Sequence, residues 1–394
     1  MSIDSTISLD EASSKQWDVI VIGAGPAGSM AAIQLRKVGA NVLLVDRAEH
    51  PREKICGCCL NGEAVELLDS IEFAEHIRAL NAVPTIAISL HSGKHGATLK
   101  LKAGMVVSRP VLDSELIKRC IDDGAHYLSF TKATVGGSVS PVGRAVQLEA
   151  GGECRYAQAR CVLVADGLNG HSLDPSQLLP AKSREHSRIG AGVRVTDYPV
   201  GLFEPGVIYM TCGSGGYVGM VVLEDGSLDV AAAFDRGFVQ SFKDVGEAAN
   251  HVIANTKFSG LSLECSGWQG TPALTRKRSA FSAPCLFVIG DAASYAEPFT
   301  GEGMAWALLS AVSVAPIVQS LLASSSPAEF DHASWDRKHK ELIAGKQIFS
   351  MALAQFLRSP RLVELSTRIL GLAPILAVPV IRAIGRDRSV KRRV

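Results

Sequence analysis

Charge of one sign is the first thing this 394-residue chain lacks: 40 Lys and Arg face 39 Asp and Glu, a net charge of +1. With no global positive field to draw a polyanion, nucleic acid is excluded as a principal partner. Aromatic residues are scarce too, at 6%. The nine cysteines are odd in number and scattered, which suits reduced thiols in a cytoplasmic setting better than a disulfide framework. No transmembrane helix is expected. The C-terminal stretch Leu370–Ile381 has 12 residues, holds two prolines and is closed by Arg382, short of the roughly 20 that span a bilayer. Residues 1–16 are polar, lack an apolar segment and read as a flexible terminus rather than a targeting signal. No internal repeat and no low-complexity tract is present.

Glycine is in surplus, 37 residues or about 9% against roughly 7% on average, and its positions carry the chemistry. The β-branched run Asp18–Ile22 ends in Gly23-Ala24-Gly25-Pro26-Ala27-Gly28, a helical pattern follows over 26–38, and Asn41–Val45 is a second apolar run. This is a βαβ unit. Gly23 permits the tight turn, Gly25 lets backbone approach a pyrophosphate and Gly28 lets the helix pack closely on the strand. The helix start, at Pro26 and Ala27, turns free N–H groups toward the phosphates. Asp46, 18 residues after Gly28, stands where an acid accepts ribose hydroxyls. Arg47 beside it would suit a 2′-phosphate, but the Asp46 carboxylate repels one.

A second glycine-bearing strand end lies far downstream. Leu286–Ile289 leads into Gly290-Asp291, then Pro298-Phe299-Thr300-Gly301-Glu302-Gly303-Met304 and an apolar helical pattern over 303–322. A nicotinamide nucleotide needs only the first cradle. A flavin dinucleotide has a ribityl chain and an isoalloxazine to hold as well, so the pair of cradles points to FAD. A single dinucleotide fingerprint leaves no dedicated nicotinamide domain; the electrons would come from transiently docked NAD(P)H or from a separate electron-transfer protein.

With these motifs the sequence resembles the glutathione-reductase-type FAD superfamily, which includes aromatic hydroxylases, flavin halogenases and geranylgeranyl reductases. Its middle motif is matched by Val164-Ala165-Asp166-Gly167, with Gly170 standing where a serine is usual and Ser172 following. The resemblance implies that Asp166 and Gly167 lie beside the pyrophosphate and Asp291 at the ribityl. Arg52-Glu53-Lys54-Ile55-Cys56-Gly57, and Arg109 with Asp113 and Leu116, resemble segments of the geranylgeranyl-reductase-like flavoproteins. In those relatives the cysteine runs near the isoalloxazine and the arginine reaches FAD. The implied catalytic set is Cys56, Tyr217 and Glu302. The reductases' substrate strand carries Gly-Tyr-x-Trp-x-Phe-Pro, whereas Gly216-Tyr217-Val218-Gly219 keeps the tyrosine and loses the tryptophan. The halogenases' Trp-x-Trp-x-x-Pro has no counterpart. Cys56, Cys58 and Cys59 lack a second ligand pair, so no metal site is expected; Cys58 and Cys59 read as small apolar residues at a helix start, and His50 as a surface loop residue.

The expected architecture is α/β: a Rossmann-type FAD-binding domain (17–82, 104–187 and 270–325), an inserted β-sheet substrate domain (83–103 and 188–269) and a C-terminal helical segment (326–394). Two arrangements fit that segment with its arginines, a cap on the FAD lobe with a solvated tail or a peripheral contact with a membrane. The function expected first is a geranylgeranyl-reductase-like enzyme reducing a C=C bond of a lipophilic substrate. A monooxygenase hydroxylating an aromatic or polyketide substrate is the alternative, and a non-catalytic FAD-holding electron relay a third.

Overall fold

The computed structural model describes residues 2–101, 103–141, 143–174, 176–297, 299 and 301–378. The run Gln16–Ile22 forms the middle strand of an eight-stranded sheet. It pairs in parallel with Val42–Val45 on one side and Glu153–Val164 on the other, so Ile22 lies level with both Val45 and Val164. Leu286–Val288 and His126–Leu128 extend the parallel core, and Lys132–Ser140 and Gly143–Ala150 add an antiparallel wing. A parallel core must be covered on both faces, which is why Val19 to Val21 are wholly buried without alternation. The helix Pro26–Lys37, started by a proline at its first turn, buries Met30, Ile33 and Leu35 and is followed by Gly39 at φ +80°.

The helix Gly303–Ala323 packs against Pro26–Lys37. It is long and apolar enough to cross a bilayer, with mean hydropathy 1.7, but 61% of that window is buried inside the protein, as a core helix would be. The apolar pattern expected over 303–322 is thus present as a helix, and the burial of its window accounts for an apolar length that would also suit a bilayer.

The second lobe is a seven-stranded sheet in the order 269–273, 189–195, 228–234, 216–222, 207–213, 87–92 and 95–100. Along Val207–Gly213 the alternation is clean. Val207 and Tyr209 join a core with Phe203, Phe258 and the helix Val245–Ile253, while Ile208, Met210 and Cys212 face the opposite way, toward the FAD lobe. The protein is thus α/β, with a Rossmann-like FAD-binding region, an inserted sheet domain and C-terminal helices.

Three expectations are corrected. The terminus 1–16 is docked: Ser8 and Glu11 form a capping box on the helix Leu9–Ser14, Ile3, Ile7 and Ala12 are buried, and Thr6 exchanges backbone and side-chain hydrogen bonds with Tyr127. The C-terminal segment does not cap the FAD lobe alone. Ala333–Phe356 does pack there, with the Trp335 indole N–H donating to the Val288 carbonyl at 2.9 Å, but Pro360–Leu372 lies across the hairpin 87–100 of the sheet lobe. The basic residues from Arg382 on lie outside the described residues. Cys58 and Cys59 are not at a helix start. Cys58 sits in a loop at φ +50°, Cys59 opens the strand Cys59–Asn61, and the helix begins only at Gly62.

Candidate active site

Between the lobes lies one cavity of about 1300 Å³. That exceeds the roughly 300–1,000 Å³ of a single drug-sized pocket, so it has room for a dinucleotide and a second ligand. Its FAD-lobe wall includes Gly23, Gly25, Pro26, Asp46, Arg47, Lys54, Cys56, Gly57, Arg109, Asp166, Gly167, Asp291, Gly301, Gly303 and Met304. The sequence motifs, distant along the chain, converge here. Ala27, Gly28, Gly290 and Glu302 are expected site residues that do not line it. A Cβ on Gly28 would stand 1.8 Å from the Gly23 carbonyl oxygen, and one on Gly290 would stand 2.8 Å from Ala27 Cβ, so these residues hold helix to strand. Glu302 is buried at the N-cap of Gly303–Ala323. Pro298 lies outside the described residues.

The walls suit FAD. Gly23 turns at φ +103°, a conformation that L side chains rarely adopt, with the Ala165 carbonyl oxygen 2.4 Å from where a Cβ would be. A Cβ on Gly25 would meet only Arg109 Nη2, at 3.8 Å, and one on Gly57 or Gly301 would meet nothing within 4 Å. The first glycine is filled by protein, while the others border open space for a phosphate or a polyol. Asp46 accepts from the backbone N–H of Ala24 and Ala48 at 2.7 and 2.8 Å. Burial would raise its carboxyl, but His50, Arg52 and the two amides bring it down to about 2, leaving an ionised carboxylate at the cavity wall. His50 is wholly buried behind Asp46, with Nε2 3.6 Å from its carboxylate; the surface-loop expectation is overturned because the chain folds back there to back the acid. Arg47 is exposed and donates to the Asn169 carbonyl at 3.3 Å.

In the middle motif, Gly170 replaces the usual serine for a steric reason. A Cβ there would stand 2.1 Å from the Asp166 carboxylate, which accepts instead from the Ser172 backbone N–H at 3.0 Å. Asp166 Oδ1 is buried with no hydrogen-bond partner, an acceptor left over beside the cradle. Arg109 is clamped by Asp113 through two bonds of 3.0 and 2.7 Å. Burial pushes the Asp291 carboxyl up while Lys54 and Arg109 pull it back. Replacing Asp291 by alanine is expected to release most of the bound FAD, read as lost flavin absorbance of the purified protein. A full yellow complement would overturn its assignment to the ribityl.

The Cys58 thiol donates toward Cys56 and, with Arg109, brings the Cys56 thiol down to about 6 against the pull of burial. Opposite, on the sheet strand Leu228–Phe234, stands Asp229. One of its carboxylate oxygens is buried without a partner, and burial, with Cys56 nearby, raises its pKa well above the usual range. The sequence reading missed Asp229, although an acid at an inward position of an otherwise apolar strand is a signal. Tyr217 is buried with its hydroxyl unpartnered, its ring edge-on to Phe299 at 5.0 Å and beneath the Arg188 guanidinium at 5.5 Å. Arg188 is also missing from the expected set; it pairs with Glu297 at 2.9 Å, both buried. Beyond Tyr217 the walls are largely apolar, with Leu90, Ile208 and Met210 from the sheet and Leu353, Val363 and Leu370 from the C-terminal helices, and with His91 and Thr367 among the polar residues. Among the described residues no group of His, Cys, Asp and Glu is arranged to hold a metal.

Residues 16–172 match the FAD binding domain family. The chain is 26% identical over 393 residues to the menaquinone reductase of Mycolicibacterium smegmatis, covering 93% of this chain and 91% of that one. It is 22% identical over 400 residues to the digeranylgeranylglycerophospholipid reductase of Thermoplasma volcanium, covering 95% of each. Among solved structures, the flavin-dependent brominase Bmp2 superposes with a TM-score of 0.79 at 16% identity, over 94% of both chains, a likeness of fold.

Proposed function

We propose that this chain, an FAD-dependent oxidoreductase acting on a lipophilic organic substrate, is a monooxygenase that hydroxylates the ring of an aromatic or polyketide molecule bearing a long apolar tail. FAD, when bound, supplies the two-electron chemistry and the reaction with dioxygen. The chain supplies position and proton control. Tyr217, kept protonated by burial, has a free hydroxyl to donate to a ring oxygen. Gly219 lines the cavity without a side chain of its own, and the flexible Met210 side chain, whose sulfur lies 3.0 Å from where a Cβ would stand, takes the place beside it. The apolar walls take the tail and keep water out. One oxygen atom enters the ring, the other leaves as water, and the two electrons come from NAD(P)H or a small redox protein. The carrying observation is one cavity that joins a glycine-lined wall of the FAD lobe to a largely apolar wall of sheet and C-terminal helices, on which the buried Tyr217 hydroxyl has no partner. The brominase-like fold supports placing heteroatom transfer to carbon ahead of C=C reduction.

Cys56 favours a second reading. Its thiol lines the cavity, and the Cys58 thiol and the Arg109 guanidinium hold its pKa below the ordinary thiol range, which makes it prone to oxidation in a site that handles dioxygen. Reduction of a C=C bond in an isoprenoid lipid avoids that conflict, and two relatives matched nearly end to end are named reductases of such lipids. One experiment separates the readings: turnover of a long-chain alkylphenol and of an isoprenoid quinone with NAD(P)H under isotopically labelled dioxygen. Monooxygenation puts one labelled oxygen into the phenol. An isoprenoid quinone that, after reoxidation of its ring, retains two added hydrogens at a C=C bond of its chain and carries no label would overturn it in favour of reduction.

A further inference from the structure

Large apolar side chains at the surface are unevenly spread. Of the fifteen exposed ones among the described residues, nine lie between Ile348 and Leu376. In the helix Pro360–Leu372, Leu362, Leu365, Ile369 and Leu372 recur at helical spacing on the outward face, and the turn after it adds Ile375 and Leu376. Leu372 is 82% exposed and Ile375 76%. The inward face of the same helix, with Val363, Thr367 and Leu370, lines the apolar half of the cavity, as do Leu376 and Ala377. Exposed surface and cavity wall are two sides of one helix and its following turn.

Charge is equally uneven. From Arg358 to the C-terminus there are nine basic and two acidic residues, a net +7 in a chain whose total is +1. Arg361 and Arg368 are exposed on the helix itself, beside the leucines. Basic side chains flanking an exposed apolar helix face complement an anionic lipid surface, which takes the apolar face into its acyl boundary and the arginines at its headgroups.

We propose that the helix Pro360–Leu372, with Arg361 and Arg368, and the turn Pro374–Ala377 dock this protein on an anionic bilayer, and that the apolar tail of the substrate enters the cavity from that bilayer past Leu376 and Ala377. Docking rests on the surface alone; delivery rests on the lipophilic-substrate reading above. The test is flotation of the full FAD-loaded protein with phosphatidylglycerol–phosphatidylcholine vesicles and with phosphatidylcholine vesicles, alongside Leu365→Asp/Leu372→Asp and a chain ending at Val378. Neither substituted leucine lines the cavity. Wild type is expected to float with anionic vesicles and to be released by salt. Both variants should bind at least about tenfold less while keeping their flavin and their rate on a short soluble substrate. Equal flotation of all three would overturn docking, as would a change of oligomeric state in the variants without any vesicle binding. Flotation that follows expectation, with unchanged variant turnover of a vesicle-borne substrate, would overturn delivery and leave docking standing.

Discussion

Gly28→Ala is expected to yield a colourless protein that is less stable than wild type. The added methyl would stand 1.8 Å from the carbonyl oxygen of Gly23, with Ala165 Cβ at 3.3 Å closing the other side. Backbone cannot swing away as a flexible side chain can, so the helix must retreat from its strand by about 1 Å or more. Overpacking of this kind costs about 1–3 kcal/mol and sometimes more, and a displacement of about 1 Å at a binding cradle costs on the order of a hundredfold in function. Two comparisons separate the causes. Gly25→Ala meets only Arg109 Nη2, at 3.8 Å, so it should fold as stably as wild type yet bind FAD weakly, because the methyl occupies the space of the pyrophosphate. Gly345→Ala, in the helix Ala333–Phe356 with nothing within 4 Å, should be neutral or stabilising by up to about 1 kcal/mol. Thermal melts and flavin titration read all three; a Gly28→Ala protein that purifies yellow with an unchanged melt would refute the close-packing argument.

The glycine pattern is legible because each glycine answers a local demand that sequence spacing expresses. Gly23 and Gly28 oppose one another across a single turn, and Asp46 follows at the end of the neighbouring strand. Side chains whose role depends on what the other lobe brings are not legible. His50 looks like a loop residue until the chain folds it behind Asp46. The polar terminus looks unstructured because Ile3 and Ile7 are too few to form an apolar pattern, yet both are buried. Asp229 and Cys56 are 173 residues apart and meet only when the sheet strand closes over the cysteine loop. The terminal helix shows the same limit in reverse. Its amphipathic spacing is visible in the sequence, but both of its faces are apolar in part, and only the packing separates the face that lines the cavity from the one left exposed.

The largest loss of stability without direct contact with the FAD cradle is expected from Arg188→Ala. Arg188 is buried at the start of the sheet lobe and pairs at 2.9 Å with Glu297 of the FAD lobe, which is buried as well. A second guanidinium nitrogen lies 3.5 Å from the carbonyl oxygen of Leu357, at the end of the long C-terminal helix. Three parts of the fold therefore meet on one side chain. Removing one partner of a buried pair typically costs about 3–5 kcal/mol, because the other is left charged and unpaired. Burial already pushes the Glu297 carboxyl up, with Arg188 as the principal group pulling it back, so in the variant the folded-state pKa rises further. A carboxyl whose pKa is higher in the folded than in the unfolded state binds a proton on folding. The stability of the variant should therefore fall as the pH rises above the ordinary carboxylate range, and its deficit relative to wild type should shrink in mild acid. Adding Glu297→Gln removes the stranded charge and should recover part of the loss at neutral pH while flattening that pH dependence. Denaturant melts of the single and double variants at two pH values measure both effects. A single-variant loss below about 1 kcal/mol, the size expected of an exposed pair, would mean that this buried pair contributes little to holding the lobes together.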